Sequence, residues 1–264
     1  MERDDREHDH GLKEDDRADL VSHLSELRAR LIRVLVYGAA GMTVVWFLFD
    51  PLYAFMVRPI SEPLRSISGQ LTVRGLLEPL MVRLEIALVG GLVLAGPLIL
   101  YEIWAFVSPG LTPGERRAVR PIVPVAGVLF LLGVAMGYLV TGPSVRVLLR
   151  YTPPDTRAWL TLNDTILLLL KFYLAFGVGF QLPIVLVLLA KIGIVDSRML
   201  ARRWREAVVA IFVAAAIITP TWDPITLTVC AVPMVVLYVA TIGVIKVIER
   251  RARKAAERED SLAG

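Results

Sequence analysis

The stretch HLSELRARLI, residues 23–32, stands where a charged N-terminal segment gives way to an apolar run, LIRVLVYGAAGMTVVWFLFD at residues 31–50. An apolar run of about 20 residues is long enough for an α-helix to cross the hydrocarbon core of a bilayer. Arginines at the border of such a run are ordinary, because their long side chains reach the interface. The acid among them, Glu26, is not explained by the border alone.

The composition indicates that the rest of the chain is of the same kind. Of the 264 residues, 56% are hydrophobic and the mean hydropathy is +0.62. This is too apolar for an ordinary soluble domain of this length. The apolar residues are also gathered into long blocks instead of being spaced as on an amphipathic helix. We therefore predict an all-α membrane protein with several transmembrane helices.

Six apolar segments are candidates for these helices. They are residues 30–50, 77–106, 121–142, 163–192, 206–220 and 224–245. The fifth is shorter than the roughly 20 residues that a crossing needs, and Pro233 interrupts the sixth, so we expect the last two helices to be short. The expected organisation is a disordered cytoplasmic tail at residues 1–22, a six-helix transmembrane domain at 23–248, and a cytoplasmic tail at 249–264.

Lysine and arginine indicate the orientation, because cytoplasmic loops carry an excess of them. The borders before the first helix and after the second, fourth and sixth carry 16, whereas the opposite borders carry 7. Both termini are therefore expected in the cytoplasm and the chain in the cytoplasmic (inner) membrane. The external connections at residues 51–76 and 142–162 contain prolines and short amphipathic pieces, and we expect interfacial helices along the outer face.

A second acid stands in a position similar to that of Glu26. The sequence PGLTPGERR, residues 109–117, joins the second and third helices and carries Glu115 three residues after Thr112. This is the spacing of a helix-capping box. Glu115 is thus explained by a cap as well as by binding, and Glu26 by an i,i+4 pair with Arg30 as well as by binding. The residues alone leave both alternatives open.

Four motifs follow one another along the predicted helices: HLSELRARL, YEIWAFVSPGLTPGERR, FGVGFQLPI and ITPTWDPITL. With these motifs in this order, from about residue 20 to 248, the chain resembles the TatC family, the signal-receptor subunit of the twin-arginine protein translocase. The first two motifs are the specific ones. The resemblance implies a fold in which six helices form a curved, concave wall.

The resemblance also implies a function and partners. It implies a receptor and assembly scaffold, without cofactor or metal, that recognises the twin-arginine signal peptides of folded cargo proteins for export driven by the proton-motive force. The implied partners are single-span TatA/TatB-type subunits, other copies of the chain and membrane lipid, and no nucleic acid. The positions that it assigns to the signal are Glu26, Arg28, Phe106, Glu115 and Arg116. Carboxylates suit this role, because a guanidinium pairs with them bidentately and lysine cannot copy that geometry.

Four further positions are expected to act in structure or partner docking: Pro59, Pro97, Gln181 and Asp223. Many family members carry glutamate where this chain has Gln181, and glutamine offers only hydrogen bonds there. Gln181 either docks a polar residue of a single-span partner or satisfies a carbonyl that Pro183 leaves without its helical donor. Asp223 is either a functional acid or a turn acid before Pro224. Glu102 either adds negative charge to the signal site or is explained by its position at the cytoplasmic border.

Two other classes of function fit the sequence less well. An intramembrane protease needs a serine and a histidine at depth, or histidine metal ligands. The histidines are His8, His10 and His23, all on the cytoplasmic side. A secondary transporter or channel, the alternative that we retain, needs paired charges near the midplane and usually a repeat, whereas Gln181 is nearly alone there.

Overall fold

The computed structural model describes residues 4–67, 69–107, 122–153, 159–218 and 224–263. Most of this is α-helix. The helices are α1 (Asp4–Phe47), α2 (Phe49–Ser66), α3 (Glu78–Val107), α4 (Ile122–Leu149), α5 (Leu162–Gly179), α6 (Leu182–Lys191), α7 (Ser197–Arg202), α8 (Trp204–Ile218) and α9 (Pro224–Ala263). The described strands are β1 (Gln70–Thr72) and β2 (Trp159–Thr161).

Five helical segments of the described part are long and apolar enough to cross a membrane. They are His23–Phe47 of α1, Glu78–Val107 of α3, Val123–Leu149 of α4, Leu162–Lys191 across α5 and α6, and Pro224–Arg251 of α9. Helix α8 has 15 residues, so it is about 22 Å long and shorter than a hydrocarbon core of about 30 Å. The prediction of an all-helical membrane protein is confirmed, and its fifth apolar segment is short as expected.

Pro183 in the fourth apolar segment and Pro233 in the sixth have different effects on their helices. We expected Pro233 to interrupt the sixth apolar segment, but α9 continues through it and its apolar part is 28 residues long. A proline is tolerated there because neighbouring groups satisfy the carbonyl that loses its donor. Only the first of the last two helices is therefore short. Pro183 instead lies in the first turn of α6, directly after the break that separates α5 from α6.

The charged ends of the chain are helical where they are described. Helix α1 begins at Asp4, so helix occupies most of the segment 1–22 for which we predicted disorder, and α9 continues to Ala263. The sequence favours this continuation, because no proline precedes Pro51 and Glu, Lys and Arg are good helix formers. The boundaries of the transmembrane domain stay a prediction.

Helices α1 and α3 touch backbone to backbone at a pair of glycines. A Cβ added to Gly41 would collide with the carbonyl of Gly91, and one added to Gly91 would collide with the backbone of Met42. Small residues allow two transmembrane helices to approach in this way. Helices α4 and α5 are similarly close where Gly137 faces the carbonyl of Phe172. Since α3 also packs on α4 and α5, these four helices form one continuous packed unit.

The two connections that we predicted on the outer face meet each other, because β1 and β2 pair in parallel. Helix α2 buries one side chain in each turn: Met56, Ile60 and Leu64. This is the amphipathic helix expected within residues 51–76. In the second connection α4 continues to Leu149, and residues 154–158 lie outside the described residues. The location of both connections at a membrane surface stays a prediction.

Replacing Gly91 by valine tests the close contact between α1 and α3. The new side chain has no room against Met42, so we expect the free energy of unfolding to fall by about 1–3 kcal/mol, as in other overpacked cores. Thermal unfolding in detergent measures the change. Gly243→Val is the matched control, because a Cβ there meets no atom within 4 Å. Equal melting temperatures for the two variants would contradict this packing.

Candidate functional site

Glu26 is paired with an arginine of its own helix. Arg30 donates to it from Nη2 at 2.6 Å and from Nε at 3.0 Å, and both bonds fall on Oε1. The two residues are four apart and therefore face the same side of α1. The Glu26 side chain is 34% exposed, whereas that of Arg30 is 16% exposed. The i,i+4 pair that the sequence left open is thus formed, with a carboxylate that solvent still reaches.

A second carboxylate, that of Glu102 near the end of α3, lies behind this pair. Glu102 is 2% exposed. Its Oε2 accepts a bond from Nη1 of Arg30 and its Oε1 accepts one from Nη1 of Arg33, both at 3.0 Å. Arg30 and Arg33 are about one turn apart on α1, which is why both reach the same acid. Glu26, Arg30, Glu102 and Arg33 form a row of alternating charges that we call the charge ladder.

The pairing of Glu102 is the feature that sequence reasoning missed. A buried carboxylate is costly unless it is paired and hydrogen-bonded, and here two guanidinium groups meet that requirement. Because both of its oxygens are bonded, Glu102 does not add a free negative charge to the site. The sequence signal was an acid inside an apolar segment together with Arg30 and Arg33 at the same border of a neighbouring helix.

An aromatic contact lies beside the charge ladder. The rings of His23 and Phe106 are stacked with their centroids 4.6 Å apart. His23 is three residues before Glu26, so it lies on the same side of α1. Arg28 is exposed and only two residues from Glu26, which places it on another side of the helix. Of the predicted signal-contacting residues, Phe106 therefore packs on the side of α1 that carries Glu26, whereas Arg28 lies on another side.

Three predicted site residues lie outside the described residues: Glu115, Arg116 and Asp223. The first two belong to the connection after α3, and the third belongs to the turn between α8 and α9. Their roles stay predictions. Within the described ranges, no group of three or more His, Cys, Asp or Glu side chains is placed to hold a metal ion.

Gln181 lies at the break between α5 and α6. Its Nε2 donates to the carbonyl of Ala126 in α4 at 3.1 Å, while its Oε1 is buried and has no partner among the described residues. The carbonyl that Pro183 leaves without a helical donor is that of Gly179. Gln181 therefore bonds a neighbouring helix instead of that carbonyl, and its amide oxygen is left as a buried acceptor.

The two prolines that we predicted to be structural lie against glycines of α4. A Cβ on Gly142 would come within 3.2 Å of the carbonyl oxygen of Pro59, and one on Gly127 would come within 3.2 Å of the Cβ of Pro97. Pro97 also lines an apolar cavity of about 830 Å³ between α1, α2, α3, α4 and α5. Both prolines therefore lie at points where helices approach closely.

These features define a class: a multi-spanning, helical membrane protein with an arginine-bound acid at one border of its first apolar span. The family model for TatC, the Sec-independent protein translocase protein, matches residues 22–233. A TatC from Koribacter versatilis is 36% identical and the match covers 92% of this chain and 91% of that relative. A TatC from Deinococcus radiodurans is 37% identical, with coverage of 91% and 90%. The chain belongs to the TatC family.

Solved structures agree with this assignment. A crystal structure of a twin arginine translocase receptor, TatC, in the detergent DDM superposes on this chain with a TM-score of 0.74. The two are 32% identical, and the match covers 84% of this chain and 99% of the crystallised one. The expected family and its all-helical membrane fold are therefore confirmed.

Replacing Glu102 by glutamine removes the negative charge that two arginines share. We expect the free energy of unfolding to fall by about 1–3 kcal/mol, because two charge-assisted hydrogen bonds to a buried acid are weakened, while Arg30 keeps Glu26 and Arg33 is 47% exposed. Denaturation in detergent, followed by circular dichroism, measures the loss. The control is Glu62→Gln, since the 86% exposed side chain of Glu62 lies 3.6 Å from Arg146 and such a surface pair contributes about 0–1 kcal/mol. A similar loss in both variants would contradict the central position of Glu102.

Proposed function

We propose that this chain is the receptor and assembly scaffold of a twin-arginine translocase, and that it recognises the twin-arginine signal peptides of folded proteins. In this proposal it is a binding protein and not an enzyme. It lies in the cytoplasmic (inner) membrane with both termini in the cytoplasm. Two observations support this: crystallised relatives at 32% identity are named twin arginine translocase receptors, and one set of span borders carries 16 lysines and arginines against 7 at the opposite set.

The observation that carries the proposal is the arginine already bound to Glu26. This carboxylate accepts two N–H groups of one guanidinium, at 2.6 and 3.0 Å. An arginine of a signal peptide offers the same planar group with the same donors. Since the Glu26 side chain is 34% exposed, an incoming arginine has access to the carboxylate and can replace Arg30 on it.

Arg30 keeps a counter-charge during this exchange. Its Nη1 remains on Oε2 of Glu102, while its Nε and Nη2 leave Glu26. Arg33 continues to occupy the other oxygen of Glu102. In this proposal Glu102 is the resting partner of Arg30, so that freeing Glu26 breaks two hydrogen bonds without leaving a buried cation unpaired.

We assign the second arginine of the signal to Glu115. A hydrogen bond to a charged group contributes about 1.5–3 kcal/mol, so that two acids meeting two arginines supply at most about 3–6 kcal/mol, or two to four decades in affinity, from which the two bonds that Arg30 loses are subtracted. Arg28 and Arg116 are the two basic positions that the proposal adds to the signal site. Phe106, stacked on His23 beside the charge ladder, offers an aromatic surface to the signal peptide.

The scaffold part of the proposal concerns the membrane interior. The apolar segment of the signal lies along the concave face, where the cavity beside Pro97 offers an almost wholly apolar lining. Gln181 docks a polar residue of a single-span TatA/TatB-type subunit; its Oε1 has no partner among the described residues but is buried, so this docking requires the break between α5 and α6 to open. Asp223 acts in partner docking at the outer turn, and further copies of the chain complete the complex.

Signal-peptide affinity tests the role of Glu26. We expect Glu26→Gln to weaken binding of a twin-arginine peptide at least ten-fold, and a twin-lysine peptide to bind the unchanged protein about as poorly, since neither forms the bidentate pair. Titration of labelled peptide against protein in nanodiscs measures both. Glu206→Gln, an exposed acid of α8, is the control and should bind normally. If Glu26→Gln bound the peptide with unchanged affinity, Glu26 would not bind the signal and would serve only in its i,i+4 pair with Arg30.

Two arginine variants test the exchange. We expect Arg30→Gln to bind the twin-arginine peptide several-fold more tightly than the unchanged protein, because it removes the internal competitor for Glu26. Arg33→Gln removes one guanidinium from the same buried acid without touching Glu26, so its affinity should not rise. The same peptide titration measures both variants. Weaker binding by Arg30→Gln would show that Arg30 positions Glu26 instead of competing for it.

A further inference from the structure

A pocket with basic walls lies between α7 and the end of the α9 span. Its volume is about 350 Å³, and Arg198 of α7 faces Lys246, Arg250 and Arg253 of α9 across it, with Ala201 and Ile242 also in the lining. The hydroxyl of Tyr238 donates to the carbonyl of Leu200 at 2.9 Å, which fixes α7 against α9. Two elements therefore hold four cations around one space.

The acid in this pocket, Glu249, can cancel only one of the four positive charges. Glu249 accepts hydrogen bonds from the backbone N–H and the hydroxyl of Ser197, so its carboxylate is engaged by the start of α7. Within the described part of the chain, none of the four cations makes an ion pair. The pocket thus carries an excess of positive charge.

The spacing of the cations on α9 carries a cost that an anion would remove. Lys246, Arg250 and Arg253 follow one another at four and three residues, so they lie on one side of the helix. Like charges at this spacing destabilise a helix by a few tenths of a kcal/mol per pair, and Glu249, three residues after Lys246 and four before Arg253, offsets only part of this cost. The general excess of cations at a cytoplasmic border would be met equally well by cations spread around the helix. Here four cations surround one pocket instead, and this arrangement favours a bound anion.

The surroundings of the pocket favour an anion with an apolar part. The candidate membrane span of α9 ends at Arg251, so we expect the pocket to lie near the border of the hydrocarbon core. Val239 precedes Lys246 by seven residues, which places it on the same side of α9, and its side chain is 59% exposed. Ile242 lies between them and lines the pocket. An exposed apolar track thus leads from the pocket toward the membrane interior.

We propose that this pocket binds the headgroup of an anionic phospholipid, with the phosphate among the four cations and an acyl chain along Ile242 and Val239. Basic pockets between transmembrane helices are suited to such headgroups. The bound lipid joins α7 to α9 and removes the repulsion among the α9 cations. This site is separate from the charge ladder and does not depend on the proposed signal recognition.

Native mass spectrometry of the delipidated full chain tests the proposal. The titrants are phosphatidylglycerol, phosphatidylcholine and glycerol phosphate. We expect phosphatidylglycerol to bind at least ten-fold more tightly than phosphatidylcholine, and glycerol phosphate not to bind measurably. Lys246→Gln combined with Arg250→Gln should weaken phosphatidylglycerol binding at least ten-fold. The matched control is Arg251→Gln combined with Lys254→Gln, which removes the same charge from the same helix outside the pocket and should bind normally.

Three results would overturn the site. They are equal binding of both lipids, equal losses in the two double variants, and binding of glycerol phosphate as tight as that of phosphatidylglycerol, which would make it a site for free anions. Arg198→Gln provides a second variant from the opposite wall, where an exposed side chain on α7 can be changed without altering α9. It should weaken phosphatidylglycerol binding several-fold, and unchanged binding would exclude this pocket.

Discussion

The contact between Gly41 and Gly91 is the constraint on which the charge ladder depends. Arg30 lies 11 residues before Gly41 on α1, and Glu102 lies 11 residues after Gly91 on α3. Eleven residues are about three turns of helix, so the faces that meet at the glycines meet again three turns further on. Because the two helices run in opposite directions, both intervals lead to the same border. The glycines let the backbones touch, and the arginines can then reach the acid.

This geometry also explains why the charges can be buried. The charge ladder contains two carboxylates and two guanidinium groups, so it is neutral as a whole. Its interior acid is bonded on both oxygens, and both ends of the row reach solvent, Glu26 with 34% and Arg33 with 47% of the side chain exposed. Glu26 is the carboxylate of the charge ladder that an outside cation can reach. Its position is fixed by Arg30, which Glu102 in turn holds against helix α3.

The sequence predicted the parts of this arrangement that depend on local pattern. Apolar blocks gave the spans, a short fifth segment gave α8, and the Glu26–Arg30 spacing gave the possible pair. It could not give the effects that depend on neighbours. Pro183 follows a break and Pro233 does not interrupt its helix, although both are prolines in apolar runs, because the surrounding helices decide which carbonyls are satisfied. Glu102 was ambiguous for the same reason: its partners lie on another helix.

An internal arginine on Glu26 affects selectivity in a specific way. Competition by Arg30 lowers the affinity of every cation for Glu26 by the same free energy, so it does not enlarge the difference between an arginine signal and a lysine one. It moves both affinities down together. A signal whose guanidinium replaces both hydrogen bonds still binds at useful concentrations, whereas a lysine, which offers a point charge, does not recover what it displaces. In the proposed receptor, competition by Arg30 therefore sets a minimum affinity for Glu26, which an arginine signal exceeds and a lysine signal does not.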